Sequence, residues 1–312
     1  MRTIFFGSPD SALPSFRKLL DAGHSVGLVI TQSDKPAGRG RRMTSSPVKI
    51  FAVERGIPVI APEKIRKDES VLPRIRDAGP DIHVVVAYGQ IIPASIIYSP
   101  RYHSLNVHFS LLPKYRGAAP VQWAVLKGEV ETGVTIIELN ERMDEGDILA
   151  QVKTQIRHRE TAGELEARLA DLGADLLLQT LEAVDSLPHL PQDHSQASLA
   201  PKIQKGDGRI GWSESAEFID RKVRALAERP GTFTFFRGRR LQVNRGRPLE
   251  GGRPGAGPGE VLDAGKDGLT VACGAHSTYL IEDLQPEGKK RMSACEFRLG
   301  AKIDPGELLT GE

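Results

Sequence analysis

Apolar, strand-like runs alternate with helical ones along the first 140 residues: RTIFFGS, SVGLVIT, IPVIAP, DIHVVVAYG, SLNVHFS and VTIIEL are separated by segments such as DSALPSFRKLLDAG and SPVKIFAVERG. Strands this continuous in Val, Ile and Phe are covered on both faces, which calls for a parallel sheet with helices on either side. The pattern therefore predicts an α/β, doubly wound domain. Gly7 falls at the first strand-to-helix turn, but the other glycines of a GxGxxG fingerprint are missing, so it reads as a tight βα turn rather than a dinucleotide site.

The segment TAGELEARLADLGADLLLQTLEAVDS spaces Leu and Ala three and four apart, as an amphipathic helix closing that domain would. LPHLPQDHSQASLAPKIQKGDGR then loses all period and is rich in Pro, Ser, Gln and Gly, which predicts an exposed linker. Beyond it come one helix, SAEFIDRKVRALAE, and short strands, GTFTFF, RRLQVN, GEVLDA, LTVACG and TYLIEDL, broken by glycine turns as in a small β-barrel. The expected division is residues 1–186, a linker at 187–206, and 207–312.

No apolar run approaches the roughly 18 residues that span a bilayer, so no membrane partner is expected and the cytoplasm is the natural compartment. Cys273 and Cys295 belong to no CxxC or Cys/His cluster, which leaves no basis for a disulfide framework or a metal site. The net charge is only +2, but it is uneven: residues 1–200 carry 23 basic and 24 acidic side chains, and 201–312 carry 19 and 16.

Within SLNVHFSLLPKYRG, Asn106 and His108 stand two apart on one strand, so their side chains share a face. The strand runs into a loop, placing both at the end where open α/β sheets bind ligands. One strand later, VTIIELNERMDEGDILA ends in an acidic turn, and Asp144 reaches His108 if the two strands are neighbours. A carboxylate beside an imidazole orients it and favours its charged form. An amide donor, an imidazole and a carboxylate without an evident Ser or Cys nucleophile suit direct transfer of an acyl-like group, with an oxyanion stabilised by Asn106 and His108. Taken singly, Asn-x-His also suits a satisfied polar pair at a sheet edge, and DEGD a solvated turn; this chemistry alone leaves group transferase and hydrolase both open.

The longer run NVHFSLLPKYRGAAPVQWAVLKGEVETGVTIIELNERMDEGDILAQ resembles the formyltransferase family that uses 10-formyltetrahydrofolate. The resemblance implies that Asn106, His108 and Asp144 are catalytic and that Ser110, Leu111, Leu112 and Pro113 contact the folate. TQSDKPAGRGRRMTSSPVKIFAVERGIPV resembles the insertion loop, and APKIQKGDGRIGW and LQPEGKKRMSACEF the second domain, of members that act on tRNA. Together these cover nearly the whole chain. They imply a Rossmann-like first domain with a parallel-rich sheet, a smaller OB-like β-barrel, and formylation of the α-amino group of methionine on initiator tRNA. A monomer is expected, and no metal. Amino-sugar formyltransferases and formylfolate hydrolases would share the trio and the folate loop, but the basic loop and the second domain speak against both. Phe109 stands where relatives often carry a small residue, which is expected to reshape the donor pocket.

Two basic runs suit a tRNA partner. Residues 34–49 hold Lys35, Arg39, Arg41, Arg42 and Lys49 against one acid, with Gly38 and Gly40 between, and a loop of this kind can follow phosphates. Arg42 is the candidate for entering the acceptor stem. RGRRLQVNRGR contributes Arg237, Arg239, Arg240, Arg245 and Arg247, expected to form a basic stripe that GKKR at 288–291 extends. The remaining histidines, His24, His83, His103, His158, His189, His194 and His276, have no comparable context.

Overall fold

The computed structural model describes residues 1–37, 42–253 and 255–311. Contacts divide the chain into two units, and the division is not a single cut. The first comprises Met1–Pro120, Glu131–Gln155 and Glu166–Pro201; the second comprises Val121–Val130, Ile156–Leu165 and Lys202–Glu312.

In the first unit, the apolar runs become β1 (Arg2–Gly7), β2 (Ser25–Ile30), β5 (Val59–Ile60), β6 (Ile82–Val86), β7 (Ser104–His108) and β8 (Glu131–Glu138). A two-strand ribbon, β3 (Lys35–Ala37) with β4 (Arg42–Thr44), stands apart from the main sheet, and β9 (Ile148–Gln155) completes it. The order is β5-β2-β1-β6-β7-β8-β9. Pairs from β5 to β7 are parallel, whereas β8 and β9 are antiparallel to their neighbours. The sheet is thus parallel-rich rather than parallel throughout. A nine-residue connection, 139–147, joins β8 to β9, which suits a hairpin and is too short for a parallel crossover. The helices of this part of the chain include α1 (Leu13–Asp21), α2 (Pro47–Glu54), α3 (Val71–Ala78) and α4 (Ala94–Ile97). Next come α5 (Pro120–Lys127), which falls largely in the second unit, and α6 (Ala162–Glu182), which begins in the second unit and runs into the first.

Strand β6 buries a histidine. His83 is fully inaccessible; its Nδ1 lies 3.1 Å from Ser104 Oγ and its Nε2 has no partner among the described residues. Burial pushes its pKa down from 6.5 to about 3. The folded protein therefore refuses a proton that the unfolded chain accepts. Stability should be at its full value above about pH 6.5 and should fall by about 1.4 kcal/mol per pH unit from there toward pH 3. Denaturant titrations between pH 7 and 5 should show this slope in the wild type and a shallower one in His83→Asn; equal slopes would contradict the assignment.

The second unit is an antiparallel sheet of β10 (Thr232–Phe236), β11 (Arg239–Leu249), β12 (Val261–Ala264), β13 (Leu269–Ala272), β14 (Thr278–Pro286), β15 (Met292–Ser293) and β16 (Leu309–Thr310). Its order is β12-β13-β14-β11-β10-β16, with β15 on β14. The two ends meet: Val261 N donates to the Glu307 carbonyl and Leu309 N to that of Gly259, around a Glu260–Leu308 bridge. Gly259 permits this approach, because at φ +90° an added Cβ would lie 2.3 Å from the Leu309 carbonyl oxygen. The curled sheet is the small barrel that the glycine-punctuated strands predict, and it is OB-like as the resemblance implies. Its core includes Trp212, Ile219, Val243, Val261, Tyr279, Ile281 and Leu284. Helix α7 (Ala216–Ala225) is capped by Ser215, and α8 (Ala294–Ala301) by Ser293 with Glu296 in a capping box.

The stretch 187–206, expected as an exposed linker, is largely exposed but not free. Up to Pro201 it belongs to the first unit: Leu190 bridges Ile148, and Ser198 to Ala200 run parallel to Arg116. Its irregular composition hides this, because the pairing uses backbone groups and a few buried side chains rather than an apolar period.

Candidate active site

Strand β7 is buried between β6 and β8, and its register sets Asn106 opposite Ile137 and His108 opposite Thr135. Asn106 and His108 face one side at the end of the strand, as their spacing requires. Val107 faces the other side, where it packs with Val134 and Phe109 around Gly173 of α6. Phe109 is thus a core residue, only 7 % exposed, and does not reshape the face that carries the trio. Gly173 makes room for Val107, since a Cβ there would come within 2.8 Å of Val107 Cγ1.

Asp144 arrives from the β8–β9 connection. Its Oδ1 lies 3.7 Å from His108 Nδ1 and accepts from Asn106 Nδ2 at 3.4 Å, while Oδ2 accepts from the Gly117 backbone N–H at 2.8 Å. His108 is 6 % exposed, and its Nε2–H donates to the Tyr115 carbonyl at 3.0 Å. Because a carbonyl only accepts, this contact keeps a proton on Nε2 and turns Nδ1 toward Asp144. The expected trio is therefore assembled on one side of the sheet end, with two of its members anchored by the loop that follows β7.

Asp144 and Tyr115 both adopt left-handed backbone, at φ +54° and +62°. This conformation costs about 1–2 kcal/mol for an L-residue. The charge-assisted bond from Gly117 to the Asp144 carboxylate, worth about 1.5–3 kcal/mol, is enough to offset it. The acidic turn is not a loosely solvated one. Gly146 is buried against the end of β8, where an added Cβ would lie 1.6 Å from the Glu138 carbonyl oxygen.

The loop Ser110–Pro113 is braced from inside. Thr135 Oγ1 donates to the Ser110 carbonyl at 2.6 Å and accepts from Leu112 N at 3.1 Å; Gln151 Nε2 donates to the Leu112 carbonyl at 3.0 Å. Ser110 donates its own hydroxyl to the Lys114 carbonyl at 2.7 Å. Ser110 and Leu112 are buried, whereas Leu111 and Pro113 keep part of their surface accessible.

The basic residues fare unevenly. Arg39 and Arg41 lie outside the described residues; Arg42 opens β4. Lys49 Nζ sits 2.8 Å from both oxygens of Asp34 and holds that carboxyl below its usual range, so this lysine is locally neutralised. In β11 the pairing with β14 shifts register around Asn244 and Arg245, which moves the inward position from 241 and 243 to 246 and turns Arg245 and Arg247 outward. Both then converge on Glu282, at 3.1 and 3.3 Å. Arg240 stacks 4.1 Å from the Phe233 ring centroid. Arg237 is spent on Glu307 at 2.6 Å and on the Ala301 and Lys302 carbonyls, while Arg239 is exposed at the start of β11. The stripe faces outward, but much of its charge is already paired. Among the described residues no group of His, Cys, Asp and Glu could hold a metal ion, and no helix is long and apolar enough to cross a membrane.

Comparison with known proteins adds to this geometry. The model of the formyl transferase family matches residues 1–181, and that of the formyl transferase C-terminal domain matches 202–302. The methionyl-tRNA formyltransferase of Citrifermentans bemidjiense is 42 % identical over 311 residues, covering 99 % of this chain and 96 % of that protein. The methionyl-tRNA formyltransferase of Geotalea uraniireducens is 44 % identical over 312 residues, covering 99 % and 98 %. In fold, the chain is similar to WlaRD, a sugar 3N-formyl transferase solved with dTDP and 5-N-formyl-THF, with a TM-score of 0.66, 18 % identity, and coverage of 93 % of this chain and 99 % of that one.

Proposed function

The chain belongs to the formyl transferase family, and from that membership we infer that it is a methionyl-tRNA formyltransferase, moving the formyl group of 10-formyltetrahydrofolate to the α-amino group of methionine on initiator tRNA. The observation that carries this reading is likeness to methionyl-tRNA formyltransferases over 99 % of the chain, second domain included.

10-Formyltetrahydrofolate supplies an activated one-carbon acyl group on nitrogen, and the donor set on β7 suits it. One N–H of Asn106 is directed to Asp144, leaving the other for the formyl oxygen, where charge grows as the amine attacks. His108, held by Tyr115 through Nε2, presents Nδ1 beside Asp144, so this pair takes the proton released by the amine and returns it to the departing nitrogen. Free α-amino groups titrate near 7.7–8.0, and an ester-linked one lies lower because the ester withdraws electrons. Much of the acceptor is therefore already neutral at pH 7, and the chief demand on the site is positioning and oxyanion stabilisation rather than strong base catalysis.

The braced loop at Ser110, Leu111, Leu112 and Pro113 is assigned to the folate through the accessible parts of Leu111 and Pro113, with the buried Ser110 and Leu112 fixing its shape. For tRNA, Arg39, Arg41 and Arg42 are assigned to the acceptor end, and Arg239 and Arg240 to phosphates along the barrel; Arg237 serves there as a brace. The protein is read as a cytoplasmic monomer.

Offering the enzyme 10-formyltetrahydrofolate together with methionyl-tRNA and a dTDP-amino sugar separates this reading from that of a sugar formyltransferase. Formyl should appear on the methionyl-tRNA at least 100-fold faster than on the sugar. Preference for the sugar would overturn the reading.

A further inference from the structure

We propose that Gln192, backed by Arg116, is the positioning residue that holds Asp144 in its working conformation. Gln192 lies in the stretch between the two family domains, yet it is only 6 % exposed. Its side-chain amide is used from both ends. Nε2 donates to the Asp144 carbonyl at 2.9 Å and to the Gly146 carbonyl at 2.7 Å, spending both hydrogens on the turn that presents the carboxylate. Oε1 accepts from Arg116 Nε at 3.1 Å and Nη2 at 2.7 Å. A guanidinium only donates and a carbonyl only accepts, so chemistry on each side fixes the amide's orientation and forbids its flip.

Arg116 is itself 5 % exposed; its Nη1 meets His194 Nδ1 at 3.2 Å and Glu145 at 3.4 Å. It also sits between the two residues that anchor the trio: the Tyr115 carbonyl takes the His108 Nε2–H, and the Gly117 N–H holds Asp144. The strand-like stretch 198–200 fixes these three from behind. Tyr115 N donates to Ser198 Oγ, Arg116 N to the Ser198 carbonyl, and Ala200 N to the Arg116 carbonyl. Gly117 is pressed so close that a Cβ would come within 2.6 Å of the Ala200 carbonyl oxygen. Asp144 in left-handed backbone is thus gripped at its carbonyl by Gln192 and at its carboxylate by Gly117, and both grips trace to one buried network.

The cleanest probe is Gln192→Glu. It keeps the size and the acceptor for Arg116, but replaces the two N–H donors by an oxygen facing two carbonyls. The inference rests on Asp144 acting in formyl transfer, so Asp144→Ala is measured alongside. Gln192→Glu should lower kcat at least 30-fold, with KM for methionyl-tRNA and for 10-formyltetrahydrofolate within about threefold of wild type. In the Asp144→Ala background the same change should lower kcat by less than twofold, because a residue that acts through Asp144 has nothing left to position. Full, multiplicative losses in the double variant, or a Gln192→Glu enzyme with wild-type kcat, would overturn the proposal. A fully active Asp144→Ala would instead overturn the role of the trio on which it rests. Should Glu at 192 prevent folding, Gln192→Ala, which leaves room for water to meet both carbonyls and the guanidinium, is read by the same two ratios.

Discussion

Replacing His108 with alanine should lower kcat for formyl transfer by roughly two to four orders of magnitude while leaving the Kd for methionyl-tRNA within about twofold. The imidazole is nearly buried, and its polar partners among the described residues are the Tyr115 carbonyl and Asp144, so its removal strips the site of its proton carrier and leaves the basic residues assigned to tRNA in place. Interactions made only in the transition state appear in kcat, whereas uniform binding appears in KM. A variant with wild-type turnover and weakened tRNA affinity would make His108 a binding residue and remove it from the chemistry.

The second large effect is expected from a methyl group. In Gly146→Ala the new Cβ would lie 1.6 Å from the Glu138 carbonyl oxygen, and the obstacle is strand backbone that cannot swing aside. The turn must lift from β8 and carry Asp144 with it. A displacement of about 1 Å at a reacting group costs on the order of 100-fold in rate, and overpacking of this kind costs about 1–3 kcal/mol of stability. Steady-state kinetics and urea titration together check this. Unaltered kcat would show that Asp144 tolerates displacement and that the trio is not a positioned set.

Much of this fold can be read from periodicity. Strands β1, β2, β6, β7 and β8 are nearly continuous apolar runs, and burial on both faces leaves no other pattern open to them. Strand β9 escapes notice because ILAQVKTQ buries little beyond Leu149, as an edge strand with polar alternation does. The pairing of Asn106 with His108 follows directly from the two-residue repeat. Asp144 follows once β8 lies beside β7, since the turn leaving β8 then returns over the His108 face.

The supports of the site are far less legible. Gln192, Ser198 and Ala200 act through side-chain hydrogen bonds or backbone pairing, and neither leaves a repeat in the sequence; a polar, proline-rich stretch looks like a linker whether or not it is pinned down. Arg116 and Gly117 stand in plain view in KYRG, but a buried arginine cannot be distinguished from a surface one until its acceptors are placed. The same applies to the stripe in β11, because a shift of register near Arg245 and the single carboxylate of Glu282 decide how much of its charge is free. Phe109 packs in the core near Gly173, 64 positions away, a neighbour that local sequence could not supply.

If the Asn106, His108 and Asp144 site works as proposed, the formyl group passes directly from folate to the methionyl amine. A rapid-quench single turnover tests it: enzyme in excess, 10-formyltetrahydrofolate labelled in the formyl carbon, and methionyl-tRNA added last. No label should be bound covalently to protein before the tRNA arrives, and label should then appear in N-formylmethionyl-tRNA in one kinetic phase that slows at least 100-fold in His108→Ala. Label trapped on the protein, or released as formate ahead of transfer, would contradict it.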